Sequence, residues 1–423
     1  MRGKRISLFV ILLSLFLTGC WDKKEVEEMS YVVAIGLDMP SNINLKKEQA
    51  LDVTFQFANP KASAQTADSG GGAEQAKRDI ITLTAPDFVT AKNTANSFVT
   101  RQVSFTHTMV IAVSEELAKR PEFYNFITTT LKEREIRRET SLLVTEGKAA
   151  DFIKNNKPEM GVQPHKYFQF IIDRSVETGM VPHSTLNRFV NITDADGDLF
   201  LAMYGSYKSK DGLNNFNEED KYKAGEVPKK GGNPVQFIGS AVFKEGRMIG
   251  RLSGEETRAS LLLDNTSEIE DMFVSYPDPL KERFKISARI RKKVSTEVKM
   301  KRRKGLPPKI DVKVPLELEL VSIPSMIGYG DDLKKQKILK DNIEGLLEKR
   351  LTNLVQKSQE TFKSEPFYWS LEIRPLFSSV KEYESWDWTK KNFPYADIHV
   401  EVDVRFIGFG KQIKEGKLEK VRD

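Results

Sequence analysis

Apolar and polar residues alternate most cleanly in the last third of the chain. One series runs Ile286, Ala288, Ile290, Val294, Val298 and Met300. A second runs Ile310, Val312, Val314, Leu316, Leu318 and Leu320, and a third Ile398, Val400, Val402, Val404 and Phe406. A period of two puts the apolar set on one side of a strand, so these stretches predict three long half-buried strands with one wet face, which suits an antiparallel sheet. Pro315 falls on the polar side of the second series and predicts an edge position or a bulge. Between the second and third series, residues 333–356 place Leu339, Ile343, Leu346, Leu347, Leu351 and Leu354 at helical spacing. That stripe predicts a helix laid over the dry side of the sheet, giving a C-terminal β-β-α-β domain over 281–423.

Upstream the pattern is mixed. Residues 30–39 read as a strand, and 49–58 alternate, with Leu51, Val53, Phe55 and Phe57 on one face and Asp52, Thr54 and Gln56 on the other. Residues 59–78 have no large apolar side chain and predict a mobile loop. Further strands are predicted at 80–84, 109–113, 141–145 and 199–204. Helices are predicted from Pro86 and Asp87 onward (Phe88, Ala91, Ala95 and Phe98 on one side), at 115–132, at 149–155 and at 166–178. Strands alternating with helices imply a mixed α/β domain over 20–207. Residues 208–234 are polar and glycine-rich, a linker or a long loop. Residues 235–280 read as a hairpin-helix region: 235–243 and 247–252 flank Lys244-Glu245-Gly246, and Ser253 with Glu256 has capping-box spacing before a helix to 263. The fold class is α+β, a multi-lobed body.

The N-terminus bears on the compartment. Arg2, Lys4 and Arg5 precede an apolar run over 6–17. As a helix that run is about 18 Å long, too short for ~30 Å of hydrocarbon, and it has the shape of a secretory signal peptide over 1–19. It ends in Leu17-Thr18-Gly19-Cys20, which resembles the lipobox of bacterial lipoproteins. The resemblance implies a diacylglyceryl thioether on Cys20 and cleavage between Gly19 and Cys20. A thiol is the most nucleophilic side chain for that alkylation, and several acyl chains at about 0.8 kcal/mol per buried CH₂ hold a protein at a membrane.

The composition narrows the chemistry. The 423 residues carry 66 Lys and Arg against 60 Asp and Glu, a formal charge of +6, with three of the basic residues in the first five positions. A body so near neutrality does not read as a nucleic-acid binder. One Cys excludes an intrachain disulfide and a zinc site built on several thiolates. No hydrolase, dinucleotide, zinc-protease or phosphate-loop string occurs, and the glycines at 70–72 lack the Gly-Lys-Ser/Thr that would follow them in a phosphate loop. His107, His165, His183 and His399 are scattered and read as structural, with His399 on a polar strand face. Asp194-Ala195-Asp196-Gly197-Asp198 fails as a calcium loop, because Leu199 and Gly205 stand where Gly and Glu are needed, and reads as an Asp/Gly turn. The basic stretch 289–304, with Lys301-Arg302-Arg303-Lys304, reads as the wet face of a strand and a basic turn. Trp386, Trp388, Phe393 and Tyr395 read as core plugging one end of the sheet.

Cys20-Trp21-Asp22-Lys23-Lys24-Glu25-Val26, running into Tyr31-Val32-Val33-Ala34-Ile35-Gly36-Leu37-Asp38, resembles the opening of the Ger(x)C family, the lipoprotein C subunits of nutrient germinant receptors in bacterial spores. Glu115-Glu116-Leu117-Ala118 with Ile136-Arg137-Arg138 is similar to the family too. So are Ile238-Gly239-Ser240-Ala241-Val242-Phe243-Lys244, Ile249-Gly250-Arg251-Leu252 and Glu255-Glu256-Thr257-Arg258. Where the family often carries an Asp-Pro-Phe-like segment with glycines after its long helix, this chain has Ser364-Glu365-Pro366-Phe367 and then Tyr-Trp-Ser. The resemblance implies a non-enzymatic subunit without cofactor beyond the acyl lipid on Cys20. It would be anchored on the outer face of the spore inner membrane, beside a membrane-embedded A subunit and a transporter-like B subunit that together sense nutrients. It carries over no catalytic residue and no metal ligand, only the lipid-bearing role of Cys20. A second hypothesis is a substrate-binding lipoprotein feeding a transporter, with a deep cleft between two lobes. A third, a cell-wall or lipid hydrolase, needs a clustered acid/base pair that the sequence does not nominate.

Overall fold

The structure, a computed structural model, describes residues 28–41, 50–58, 80–156, 164–195, 198–208, 220–267, 269 and 272–410. The leader 1–19, Cys20, the 59–78 loop, and Asp196 with Gly197 lie outside the described residues, as do 209–219 of the 208–234 stretch and the side chain of His165.

Among the described residues the first sheet has nine strands. β1 (Met29–Asp38) lies between β2 (Leu51–Phe57) and β5 (Val110–Ser114), with β3 (Ile80–Ala85) beyond β2 and the short β4 (Gln102–Ser104) beside the start of β1. On the other side follow β6 (Ser141–Thr145), β7 (Phe200–Ser206), β8 (Gln236–Lys244) and β9 (Arg247–Leu252). β1, β5, β6 and β7 are parallel, whereas β2, β8 and β9 join by antiparallel pairing.

Helices cover both faces of this sheet. One face packs on α1 (Phe88–Ala95), α2 (Glu115–Ala118), α3 (Phe123–Thr130) and α6 (Leu186–Thr193), the other on α4 (Ala149–Asn155) and α5 (Pro164–Glu177). Ile111 and Val113 therefore point into one core, and Val110 and Ala112 into the other. This is why β1, β5 and β6 read as continuous apolar runs rather than alternating ones. On β2 the polar face carrying Thr54 and Gln56 is buried as well.

The second sheet is built on β13 (Leu306–Ser322), a strand of 17 residues. β12 (Glu297–Arg303) pairs with its first half and β11 (Lys285–Arg291) with its second, and β10 (Met272–Pro277) flanks β11. The expected single strand over 286–300 is thus two strands. The chain between them drops toward the end of α7 (Gly254–Leu263), where Lys292 Nζ donates to the Asp264 carbonyl at 2.6 Å and Thr296 Oγ1 to that of Leu262 at 2.8 Å. Val294, predicted apolar-facing, is 60% exposed in that connection. β14 (Asp397–Gly408) pairs with β13 in parallel, which corrects the purely antiparallel reading. The reason is the connection: α8 (Leu333–Lys357) crosses the sheet and returns the chain in its starting direction. Leu339, Ile343, Leu347, Leu351 and Leu354 bury the expected stripe, about 1.5–3 kcal/mol for each large side chain. Pro315 lies inside the sheet rather than at an edge. It occupies the gap on β13 between the last β12 partner, Lys313, and the first β11 partner, Glu317, where a missing N–H costs no ladder bond to either strand.

The helix expected over 115–132 is broken between α2 and α3. Pro121 has no N–H and disfavours the helical conformation of Arg120. α1 ends before Phe98, which is 56% exposed. α6 and β4 were not predicted. The chain from 208 to 234 joins β7 to β8, neighbours in one sheet, and Asp220, Tyr222 and Ala224 within it are buried. The hairpin β8–β9 completes the first sheet, while α7 packs with Leu199, Leu201, Val242 and Leu252 of that sheet and with the second sheet in one continuous core. The stretch expected as a middle region is divided between the two lobes in this way.

Candidate functional site

The residues that carry the family resemblance mostly serve packing between elements. Gly36 lies where α4 crosses β1; a Cβ there would stand 2.9 Å from Ile153 Cδ1 and 3.2 Å from Thr54 Cβ. Asp38, at the end of the same strand, accepts from Ala149 N–H at 2.7 Å and Ala150 N–H at 2.9 Å, so it caps α4 from a distant strand. Burial pushes its carboxyl up, against the pull of those two donors, Ser114 and Lys148. Glu115 Oε1 receives Arg251 Nε at 3.1 Å and the Tyr204 hydroxyl at 3.1 Å, and Arg251 also donates to that hydroxyl at 2.7 Å. Gly239 has φ +90°, and a Cβ on it would run into the Leu252 carbonyl oxygen.

α7 and its approaches tie the lobes together. Ser253 and Glu256 form the predicted capping box, and Glu256 also meets Lys357 Nζ of α8 at 2.6 Å. Glu255 pairs with Arg350 of α8 at 2.6 Å. Arg258 is buried. It donates to the Thr178 carbonyl of the first lobe at 2.9 Å and to the Phe273 carbonyl of β10 at 2.9 Å, and it lies 3.4 Å from Asp220 Oδ2.

The segment after α8 forms the rest of the junction. Leu199 N–H donates to the Glu365 carbonyl at 3.0 Å, and the Tyr368 hydroxyl to the Leu199 carbonyl at 3.1 Å. Ser370 Oγ donates to Asp198 Oδ2 at 2.6 Å, and Ser260 Oγ to the Pro366 carbonyl at 3.3 Å. The Glu365 carboxylate is buried and accepts from Phe367 N–H (2.8 Å), Ser370 N–H (3.2 Å) and Trp388 Nε1–H (3.3 Å). Sequence reading missed Asp198 and Glu365 as partners. The available signal was a lone Glu set in aromatic and proline residues, Pro366-Phe367-Tyr368-Trp369, where an ionised side chain has no solvated place.

The other candidates do not come together. His107 lies against the Tyr31 ring, 4.3 Å between centroids, and His399 is exposed on β14. His183 is exposed before α6. Among the described residues no group of three or more His, Cys, Asp or Glu is placed to hold a metal ion. The basic stretch is divided between the end of β11, the connection through Lys292, and the exposed strand β12 with its turn, where Arg302 meets Glu382 at 2.9 Å and Arg303 meets Asp397 at 3.4 Å. Trp388 and Phe393 are core, Trp386 stacks on Trp388, and Tyr395 stands 66% exposed.

Two cavities lie near these residues. One at the lobe junction, lined by His183, Arg188, Asp264, Pro366 and Tyr368 among others, has about 10 Å³, room for one water. The other is an open cleft of about 500 Å³ in the first lobe, outside the carboxyl ends of β1 and β5, lined by Asp38, Ser114, Glu115, Glu116, Lys119 and Lys148. Among the described residues no helix is long and apolar enough to cross a membrane.

Comparison with known proteins agrees with this architecture in extent. The model of the spore germination protein N-terminal domain matches residues 22–205, and that of the spore germination B3/GerAC-like C-terminal domain matches 238–410. Spore germination protein KC of Bacillus subtilis (strain 168) is 25% identical over 362 residues, 83% of each chain. Spore germination protein B3 of the same organism is 23% identical over 412 residues, 95% of this chain and 96% of that protein. The crystal structure of the GerBC protein superposes with a TM-score of 0.49 at 16% identity, over 91% of this chain and 100% of that one. With both domain models matched in order and relatives aligned along most of its length, this chain belongs to the Ger(x)C family of spore germination proteins.

Proposed function

We propose that this chain is the lipid-anchored, non-enzymatic C subunit of a spore nutrient germinant receptor, assembling with membrane A and B subunits on the outer face of the spore inner membrane to trigger germination. The observation that supports this most is the match of both germination domains across the body, behind a lipobox whose Cys20 is the one cysteine of the chain. A fatty anchor on Cys20 supplies the membrane attachment. The two lobes, fastened through α7 and 364–370, supply a rigid surface for partners. Crosslinking of intact spore membranes, followed by mass spectrometry, tests the reading. Peptides of this chain joined to two polytopic proteins are expected; a chain that crosslinks to neither contradicts it.

One observation favours the second reading, a substrate-binding lipoprotein delivering a small nutrient to a transporter. The 500 Å³ cleft lies where the chain leaves β1 toward β2 on one side and β5 toward β6 on the other, the switch point at which open α/β sheets bind ligands. The interlobe cleft such carriers use is filled here, with room for a single water. Calorimetry across amino acids, sugars and nucleosides separates the readings: heat of binding to the isolated chain favours the carrier, and silence favours the receptor subunit.

A further inference from the structure

The junction between the lobes contains two carboxyl groups with too few charges to answer them. Asp198 stands just before β7 in the first lobe, 7% exposed; Glu365 stands after α8 in the second, 1% exposed. Their surroundings are unequal. Among the described residues Glu365 has three N–H donors, whereas Asp198 has one hydroxyl donor, Ser370, on Oδ2, and its Oδ1 is buried with no hydrogen-bond partner. The Tyr383 hydroxyl, on α9 (Val380–Trp386), is also buried with no hydrogen-bond partner among the described residues. The charged groups around them serve other contacts. Arg188 of α6 lies over the Tyr368 ring at 5.0 Å and 3.5 Å from Asp264, and Arg374 lies over the Tyr383 ring at 5.4 Å.

Two like charges in one dry site are unfavourable twice over, through desolvation and mutual repulsion, and the usual outcome is that one proton stays bound. We propose that Asp198 and Glu365 form a buried two-proton site between the lobes, which keeps one of its protons at neutral pH and weakens the junction as each is released to bulk solvent with rising pH. The electrostatics agree with the geometry. Burial pushes Asp198 up from 3.8 to about 6, against the Ser370 bond, and pushes Glu365 well above 4.5, with the Asp198 charge as the next cause.

The sign follows from linkage. Both groups bind a proton more tightly folded than unfolded, so the stabilisation is complete below about pH 4 and is lost as pH rises, through about 6 for Asp198 and further for Glu365. For Asp198 alone the folded-to-unfolded ratio falls about tenfold between pH 5 and pH 7.

The test is urea unfolding of the full chain and its Asp198→Asn variant at steps from pH 5 to pH 8. Asn keeps the shape and the Ser370 bond and cannot ionise. The variant is expected to lack about a tenfold loss that the parent shows between pH 5 and 7, and to be the more stable of the two at pH 8. Equal pH dependence in parent and variant overturns the proposal. Infrared spectroscopy of the parent at pH 7 gives an answer even where the variant does not fold: the carbonyl band of a protonated carboxylic acid is expected, and its absence contradicts the site.

Discussion

The carboxylate of Asp38 accepts the first N–H of α4, that of Ala149, at 2.7 Å, across 111 residues of sequence. Ala150 N–H binds the second oxygen at 2.9 Å. A helix start ordinarily takes its cap from the residue beside it; here Lys148 occupies that place and makes no side-chain cap. The Ile-Gly-x-Asp opening thus joins the first strand to a helix on the sheet's face. Asp38→Ala removes the acceptor and leaves two buried donors unpaired. A loss of about 2–3 kcal/mol in urea unfolding is expected, with a smaller loss for Asp38→Asn, which keeps one acceptor. Equal stability of parent and alanine variant contradicts this role.

Arg258 bridges carbonyls of both lobes through Thr178 and Phe273. Truncating it leaves two carbonyl groups unpaired in the interior and Asp220 with Arg350 alone, 3.6 Å away. For Arg258→Ala a loss of about 3–5 kcal/mol is expected. Uncoupled lobes are then expected to unfold in two steps in calorimetry, and the parent in one. A single transition at the parent's temperature sinks the assignment.

On β14 the open edge is guarded from the helix above it. Glu348 Oε1 accepts from Val402 N–H at 3.0 Å and Glu344 Oε1 from Val404 N–H at 2.8 Å. Carboxylates four residues apart on one helix face thereby satisfy alternate N–H groups that would otherwise template another strand. The Glu344→Ala, Glu348→Ala double variant is expected to lose about 2 kcal/mol and to self-associate in light scattering at concentrations where the parent stays monodisperse. A double variant with the parent's scattering profile shows that the edge needs no such cover.

The sequence disclosed most where one physical rule governed a whole segment. β13, α8 and the Ser253–Glu256 capping box were each readable because period, stripe or cap spacing fixed the element without help from distant residues. It disclosed least where the deciding partner is remote. The parallel pairing of β14 depends on a crossover of the chain, the split at 292–296 on an attachment to α7, and the burial of Thr54 on a helix nearly a hundred residues later. The same holds for the junction. Asp198 read as part of a surface turn because Ser370 and Glu365, which draw it inward, lie 172 and 167 positions away.

The lipid proposed for Cys20 is the feature on which the proposed membrane placement, compartment and partner choice all depend. Mass spectrometry of the N-terminal peptide isolated from spore membranes tests it directly. The account predicts a chain beginning at Cys20 with a diacylglyceryl thioether on its sulfur. A free thiol at that position, behind an uncleaved leader, contradicts it.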